Sequence, residues 1–156
     1  MRGKERGFSL IELLIVVAII LIIAAIAIPN LVHSKMSANE ASAVGSMQTL
    51  NTAAITYSTE YGGYPHALSN LGPGNPASSA TADMIDSVLA SGSKSGYQFA
   101  YSAGATDAAG NVLNYSITGQ PISVGSTGQK YFFTDQSGVV RSNSAGVADA
   151  NSTPIS

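Results

Sequence analysis

Hydrophobic and polar positions follow three rhythms along this chain. From Leu13 to Ile28 every residue is apolar. As a helix, Phe8 to Ile28 would measure about 32 Å at ~1.5 Å per residue, which matches the ~30 Å hydrocarbon core of a bilayer. Past Pro29 the rhythm becomes helical. Met36, Ala43, Met47, Leu50, Ala54, Tyr57 and Tyr61 recur at three- and four-residue spacing, with Glu40 in register. Ser46, Gln48, Asn51, Thr52, Ser58 and Glu60 fill the intervening positions. The pattern predicts an amphipathic helix with one stripe for a partner surface. Gly62-Gly63 supplies a stop and Pro65 prevents continuation. The whole helix is expected over about 8–61.

The third rhythm has period two. Tyr97, Phe99 and Tyr101 alternate with small or polar residues, as do Leu113, Tyr115 and Ile117. Tyr131 to Thr134 and Val139 to Arg141 are two further runs. Asp107-Ala108-Ala109-Gly110-Asn111 and Asp135-Gln136-Ser137-Gly138 read as the turns between them. Such alternation predicts an antiparallel sheet with one buried face. The fold class is therefore α+β: a ladle with a long N-terminal helix packed on a C-terminal antiparallel sheet of about four strands. Between the two, residues 62–96 read as a connecting loop. Within it Ala80 to Ala90 is expected to form a short helix, capped by Ser79 and with Asp83 in its first turn. The organisation is then 1–7 leader, 8–29 apolar half-helix, 30–61 amphipathic half-helix, 62–96 loop, 97–142 sheet and 143–156 tail, the last expected at the surface or disordered.

Charge sharpens this picture. Arg2, Lys4 and Arg6 sit before the apolar run, opposed there only by Glu5. Beyond residue 7 the chain carries four bases against eight acids. That excess of acid argues against direct nucleic-acid binding, since no basic patch is available to displace counterions. A basic leader is expected to stay in the cytoplasm while the remainder is exported. There are no cysteines, so no disulfide framework is available.

One carboxylate, Glu12, stands at the head of the apolar run. A lone charge within a membrane segment costs roughly 2.5–3.5 kcal/mol at mid-membrane on insertion scales, so it marks a functional position. The stretch Gly7-Phe8-Ser9-Leu10-Ile11-Glu12-Leu13-Leu14-Ile15-Val16-Val17-Ala18-Ile19-Ile20, behind a short basic leader, resembles the N-terminal motif of type IV pilins and the related pseudopilins. The resemblance covers residues 1–35. It implies that a membrane prepilin peptidase cuts between Gly7 and Phe8 and methylates the new Phe8 terminus. It also implies a pilin-like fold, a precursor held in the bacterial inner membrane with its N-terminus cytoplasmic and its head exported, and later incorporation into an extracellular filament. The partners implied are copies of the same chain, the prepilin peptidase and N-methyltransferase, an assembly platform protein and an ATPase. Gly at the cut gives the protease close access to backbone. After cleavage the Glu12 carboxylate could pair with the amine of a neighbouring subunit, because neither charge is tolerated alone in lipid. Pro29 matches the family's Pro near the end of the segment and is expected to break the helix. Leu21 stands where the family usually has Gly.

Three functional readings follow. The first is the structural subunit of a type IV pilus, serving as a surface fibre of the adhesion or motility type. The second is a pseudopilin of a type II secretion system. Tyr61-Gly62-Gly63-Tyr64-Pro65 resembles the segment after the helix in the major pseudopilin, but no Trp and no Asp-Pro-Trp-Gly-like stretch is present. The third is a secreted binding domain with a removable signal peptide, for which Ala25-Ile26-Ala27 offers a small-x-small cleavage site. No catalytic constellation is visible, so an enzyme is not expected, nor is a cofactor. His33 and His66 are solitary and suggest no metal site. Asn114-Tyr115-Ser116 and Asn151-Ser152-Thr153 fit the short N-glycosylation pattern.

Overall fold

A computed structural model describes residues 7–155 of the chain. The leader assignment over residues 1–6 lies outside the described residues. Two compact units divide the chain at Lys35 and Met36.

Helix α1 spans Leu10–Tyr61, and the first unit contains its apolar part. This helix is long and apolar enough to cross a membrane. Of its residues before Met36, nearly all are exposed. The expected break at Pro29 is absent, and helix is assigned on both sides of it. Proline costs a helix interior about 3 kcal/mol by removing one donor and crowding the preceding turn. A helix that continues for many turns on each side retains all its other bonds, so one defect does not end it.

The second unit is an α+β head. The C-terminal part of α1 packs on an antiparallel sheet of strands β1 (Ser93–Lys94), β2 (Tyr97–Ala103), β3 (Tyr115–Pro121), β4 (Tyr131–Asp135), β5 (Arg141–Asn143) and β6 (Thr153–Pro154). The strands lie in chain order, each antiparallel to the next. Ala43, Met47, Leu50, Ala54 and Tyr57 from the helix meet Tyr97, Phe99, Tyr115, Ile117 and Phe132 from the sheet in one core. The period-two reading of the sheet holds for Tyr115 and Ile117, and residues 119 and 121 of β3 continue it inward, but Leu113 lies before the strand and is exposed. Gly119 lies opposite both Phe99 and Phe132 in the register. A Cβ there would meet the Phe99 ring at 3.3 Å, so the absence of a side chain makes room for that ring.

The sheet has six strands rather than about four. The added strands, β1 and β6, are two residues each. The fourth run shifts from Val139–Arg141 to Arg141–Asn143. The tail lies mostly at the surface, as one of the two expectations had it, but its end is fastened to the sheet. Thr153 and Pro154 pair with β5, Ile155 N–H donates to Val140 O at 2.8 Å, and Ala148 is buried.

The loop helix is much shorter than expected. Helix α2 covers only Ser87–Ala90, and its N-cap is Asp86, whose side chain accepts from Leu89 N–H. Asp83 has φ 55°, a left-handed conformation that ends any helix passing through residue 83. Ser79, the expected cap, instead offers its carbonyl to the Tyr57 hydroxyl at 2.7 Å. A 3₁₀ turn at Leu68–Leu71 is a further element with no signal in the apolar pattern. Both anticipated turns form. Asp107 Oδ1 accepts from Ala109 and Asn111 N–H, and Asp135 Oδ1 accepts from Ser137 N–H.

Candidate processing and assembly segment

Gly7, Phe8 and Ser9 precede the helix in non-helical backbone, and all three are exposed. The Gly7–Phe8 bond therefore lies in exposed backbone outside the helix. A side chain at Gly7 would meet nothing within 4 Å, so this glycine is not required by packing within the chain. Phe8 is 83% exposed, the largest exposure among the large apolar residues.

Glu12 is held by its own chain. Its Oε2 accepts the Ser9 N–H at 2.9 Å, while Ser9 O accepts the Leu13 N–H at 3.2 Å as the first bond of the helix. Ser9 is thus the N-cap and Glu12 the third helical residue, which is the reciprocal half of a capping box. The carboxylate also lies at the positive end of the helix dipole. Ser9-Leu10-Ile11-Glu12 has the S-x-x-E spacing of that motif, so the role of Ser9 is legible in the sequence although the apolar pattern alone does not show it. Seventeen residues further on, Pro29 sits within the helix, and Ser34 Oγ donates to Asn30 O just past it at 2.9 Å. The segment thus presents an exposed non-helical peptide, an acid bonded to the helix start and an apolar helix with its side chains outward. Glu12 and Pro29 are far apart along that helix and do not form a joint site.

The polar bonds of the head are internal. Asn39 Nδ2 donates to Thr127 O at 2.8 Å. Glu40 Oε1 accepts Gln129 N–H at 3.0 Å, and its other oxygen pairs with Lys130 at 3.5 Å. These contacts explain why Glu40 lies in register with an apolar stripe: it fastens the β3–β4 loop to the helix. Lys94 pairs with Asp86 at 2.9 Å. The Leu89 N–H and this lysine hold the Asp86 carboxyl below its ordinary range.

The family description "Prokaryotic N-terminal methylation motif" matches residues 2–28. The type IV major pilin protein PilA of Myxococcus xanthus is 41% identical over 69 residues, 44% of this chain and 31% of the relative. The type II secretion system core protein G of Dickeya chrysanthemi is 31% identical over 72 residues, 46% of this chain and 47% of the relative. The type IV wide pilus major component PilA4 of Thermus thermophilus is 57% identical over 37 residues, 24% of this chain and 28% of the relative. In each case the match spans less than half of the relative. No solved structure matches the chain significantly. A prepilin-type methylation motif at the N-terminus, relatives among both pilins and pseudopilins, and a head built as a helix on an antiparallel sheet together support placing this chain in the type IV pilin and pseudopilin superfamily.

Proposed function

We propose that the chain is the structural subunit of a type IV pilus, polymerising through its apolar N-terminal helix. The observation that carries this reading is the apolar, almost wholly exposed run of α1 from Leu13 to Ile28. Burying one large apolar side chain is worth roughly 1.5–3 kcal/mol. Summed over this segment, exposure to water would cost tens of kcal/mol. The helix must therefore pass directly from lipid into a bundle of like helices. A prepilin peptidase would cut at Gly7–Phe8 and methylate Phe8. An assembly platform and an ATPase would then move the subunit outward from the inner membrane. Glu12 would exchange the Ser9 N–H for the amine of a neighbouring subunit, and the heads would coat the resulting surface fibre. This role calls for no catalysis by the chain itself.

A pseudopilin role in type II secretion is the second reading. The similarity to core protein G supports it, for example 36% identity over 62 residues to the protein of Escherichia coli (strain K12). Electron microscopy of material sheared from cells that express the chain separates the two. Long surface fibres labelled by an antibody to the head are expected. Labelled fibres confined to the periplasm would favour the pseudopilin, and a soluble monomer would contradict both.

A further inference from the structure

A cleft of about 370 Å³ opens on the head beside the C-terminal end of α1. Tyr57, Tyr61, Tyr64, His66, Asn70 and Asn111 are among the side chains that line it. One wall is the tilted pair Tyr57 and Tyr61, with ring centroids 4.7 Å apart. Another is Tyr64, braced from behind by Tyr115 at 4.7 Å.

The cleft is fixed before any ligand arrives. Tyr57 Oη donates to Ser79 O at 2.7 Å, and Asn70 Oδ1 accepts Ala67 N–H at 2.8 Å. Tyr64 N–H donates to Val112 O at 2.9 Å. Gly63 permits that last approach, since a Cβ there would stand 2.8 Å from Asn111 Cβ. Among the described residues, no hydrogen bond engages the exposed His66 ring.

The lining selects by chemistry. The lining includes no Lys or Arg, while the carboxylates of Glu60 and Asp107 stand beside Tyr61 and Asn111, so an anionic ligand would find like charge and no counter-charge. A purely apolar ligand would strand the amide and imidazole groups. Aromatic rings with a polar edge suit a molecule that is apolar on its C–H faces and polar around its rim. The volume falls in the range of small-molecule sites, roughly 300–1,000 Å³. We propose that this cleft binds a neutral saccharide, with the Tyr61 ring against a sugar face and His66 at its hydroxyl rim. The proposal is independent of whether the filament is a pilus or a pseudopilus.

The test uses the full mature chain in dodecylphosphocholine micelles, a detergent without a sugar headgroup. Saturation-transfer NMR is recorded with lactose, cellobiose and N,N′-diacetylchitobiose as probes. At least one disaccharide is expected to receive saturation at its ring C–H protons. Tyr61→Ala should weaken that binding about tenfold or more, and Tyr61→Phe should preserve most of it. Shifts of the wild-type Tyr57, Tyr61 and His66 resonances on titration provide a second readout that needs no variant. Absence of transfer from all three sugars would overturn the proposal, as would unchanged binding by Tyr61→Ala or shifts confined to other parts of the head.

Discussion

Asn51 Nδ2 donates to Thr134 Oγ1 at 2.7 Å across the buried seam between α1 and β4. The Tyr115 hydroxyl donates to Asn51 Oδ1 at 3.1 Å, so one amide joins the helix to two strands. Asn51 is 5% exposed and Thr134 is 0% exposed. A buried amide that must meet both partners tolerates little sliding of the helix along the sheet.

Replacing Asn51 should therefore leave two hydroxyls without their partner in the core. Asn51→Ala is expected to cost about 1–3 kcal/mol, the usual penalty for an orphaned buried polar group. Thermal unfolding of the full chain in micelles, followed by circular dichroism, measures the loss. Adding Thr134→Val to Asn51→Leu should recover part of it, because only the Tyr115 hydroxyl is then left without its partner.

Gly119 sits between Phe99 and Phe132 in the sheet, with no space for a larger side chain. Gly119→Leu should force the Phe99 ring from its place and destabilise the head by about 1–3 kcal/mol, as overpacked cores do. The same unfolding assay reads it. An unchanged midpoint would show that the ring can move freely.

Burial, then Tyr64 and Asp135, raise the Tyr115 hydroxyl from 10.0 to about 12. Burial dominates the upward displacement of Tyr97 and Tyr101 as well. A raised folded-state value means that the folded head binds these protons more tightly than the unfolded chain. The Tyr115 contribution to stability is complete below pH 10 and is lost as pH climbs through about 12. Unfolding midpoints measured on the alkaline side should fall across that window. Tyr115→Phe should flatten part of the fall.

Glu12 accepts the Ser9 N–H and stands at the head of an apolar helix. Glu12→Gln keeps an acceptor for the Ser9 N–H but removes the charge, whereas Glu12→Ala removes both. If pairing with a neighbouring amine drives assembly, both variants should be cleaved normally and both should fail to form ordered filaments. Filaments from Glu12→Gln at wild-type yield would show that the cap, not the charge, is what matters. Immunoblotting for cleavage and microscopy of sheared material make the distinction.

The apolar half of the helix and its stripe were readable because period and length are one-dimensional signals. Met36, Ala43, Met47, Leu50, Ala54 and Tyr57 all face the core as spacing requires. Ser46 and Asn51 were read as positions off the stripe, yet both are buried. Nothing local distinguishes such an Asn from an exposed one, because its partners lie 64 and 83 residues away. Strands β1 and β6 are too short to show alternation, and a neighbouring strand defines them. The long helix proposed over Ala80 to Ala90 failed at Asp83, whose left-handed backbone no apolar count anticipates. At the other end, the S-x-x-E spacing of Ser9 and Glu12 was present in the sequence, and its meaning emerged once the helix start was located.

The most direct test of the account is the mass of the N-terminal peptide from the protein isolated out of its membrane or filament. The account predicts a chain that begins at Phe8 and carries one added methyl group. A chain that begins at Ile28, cut after Ala27 and recovered as a soluble monomer, would contradict it.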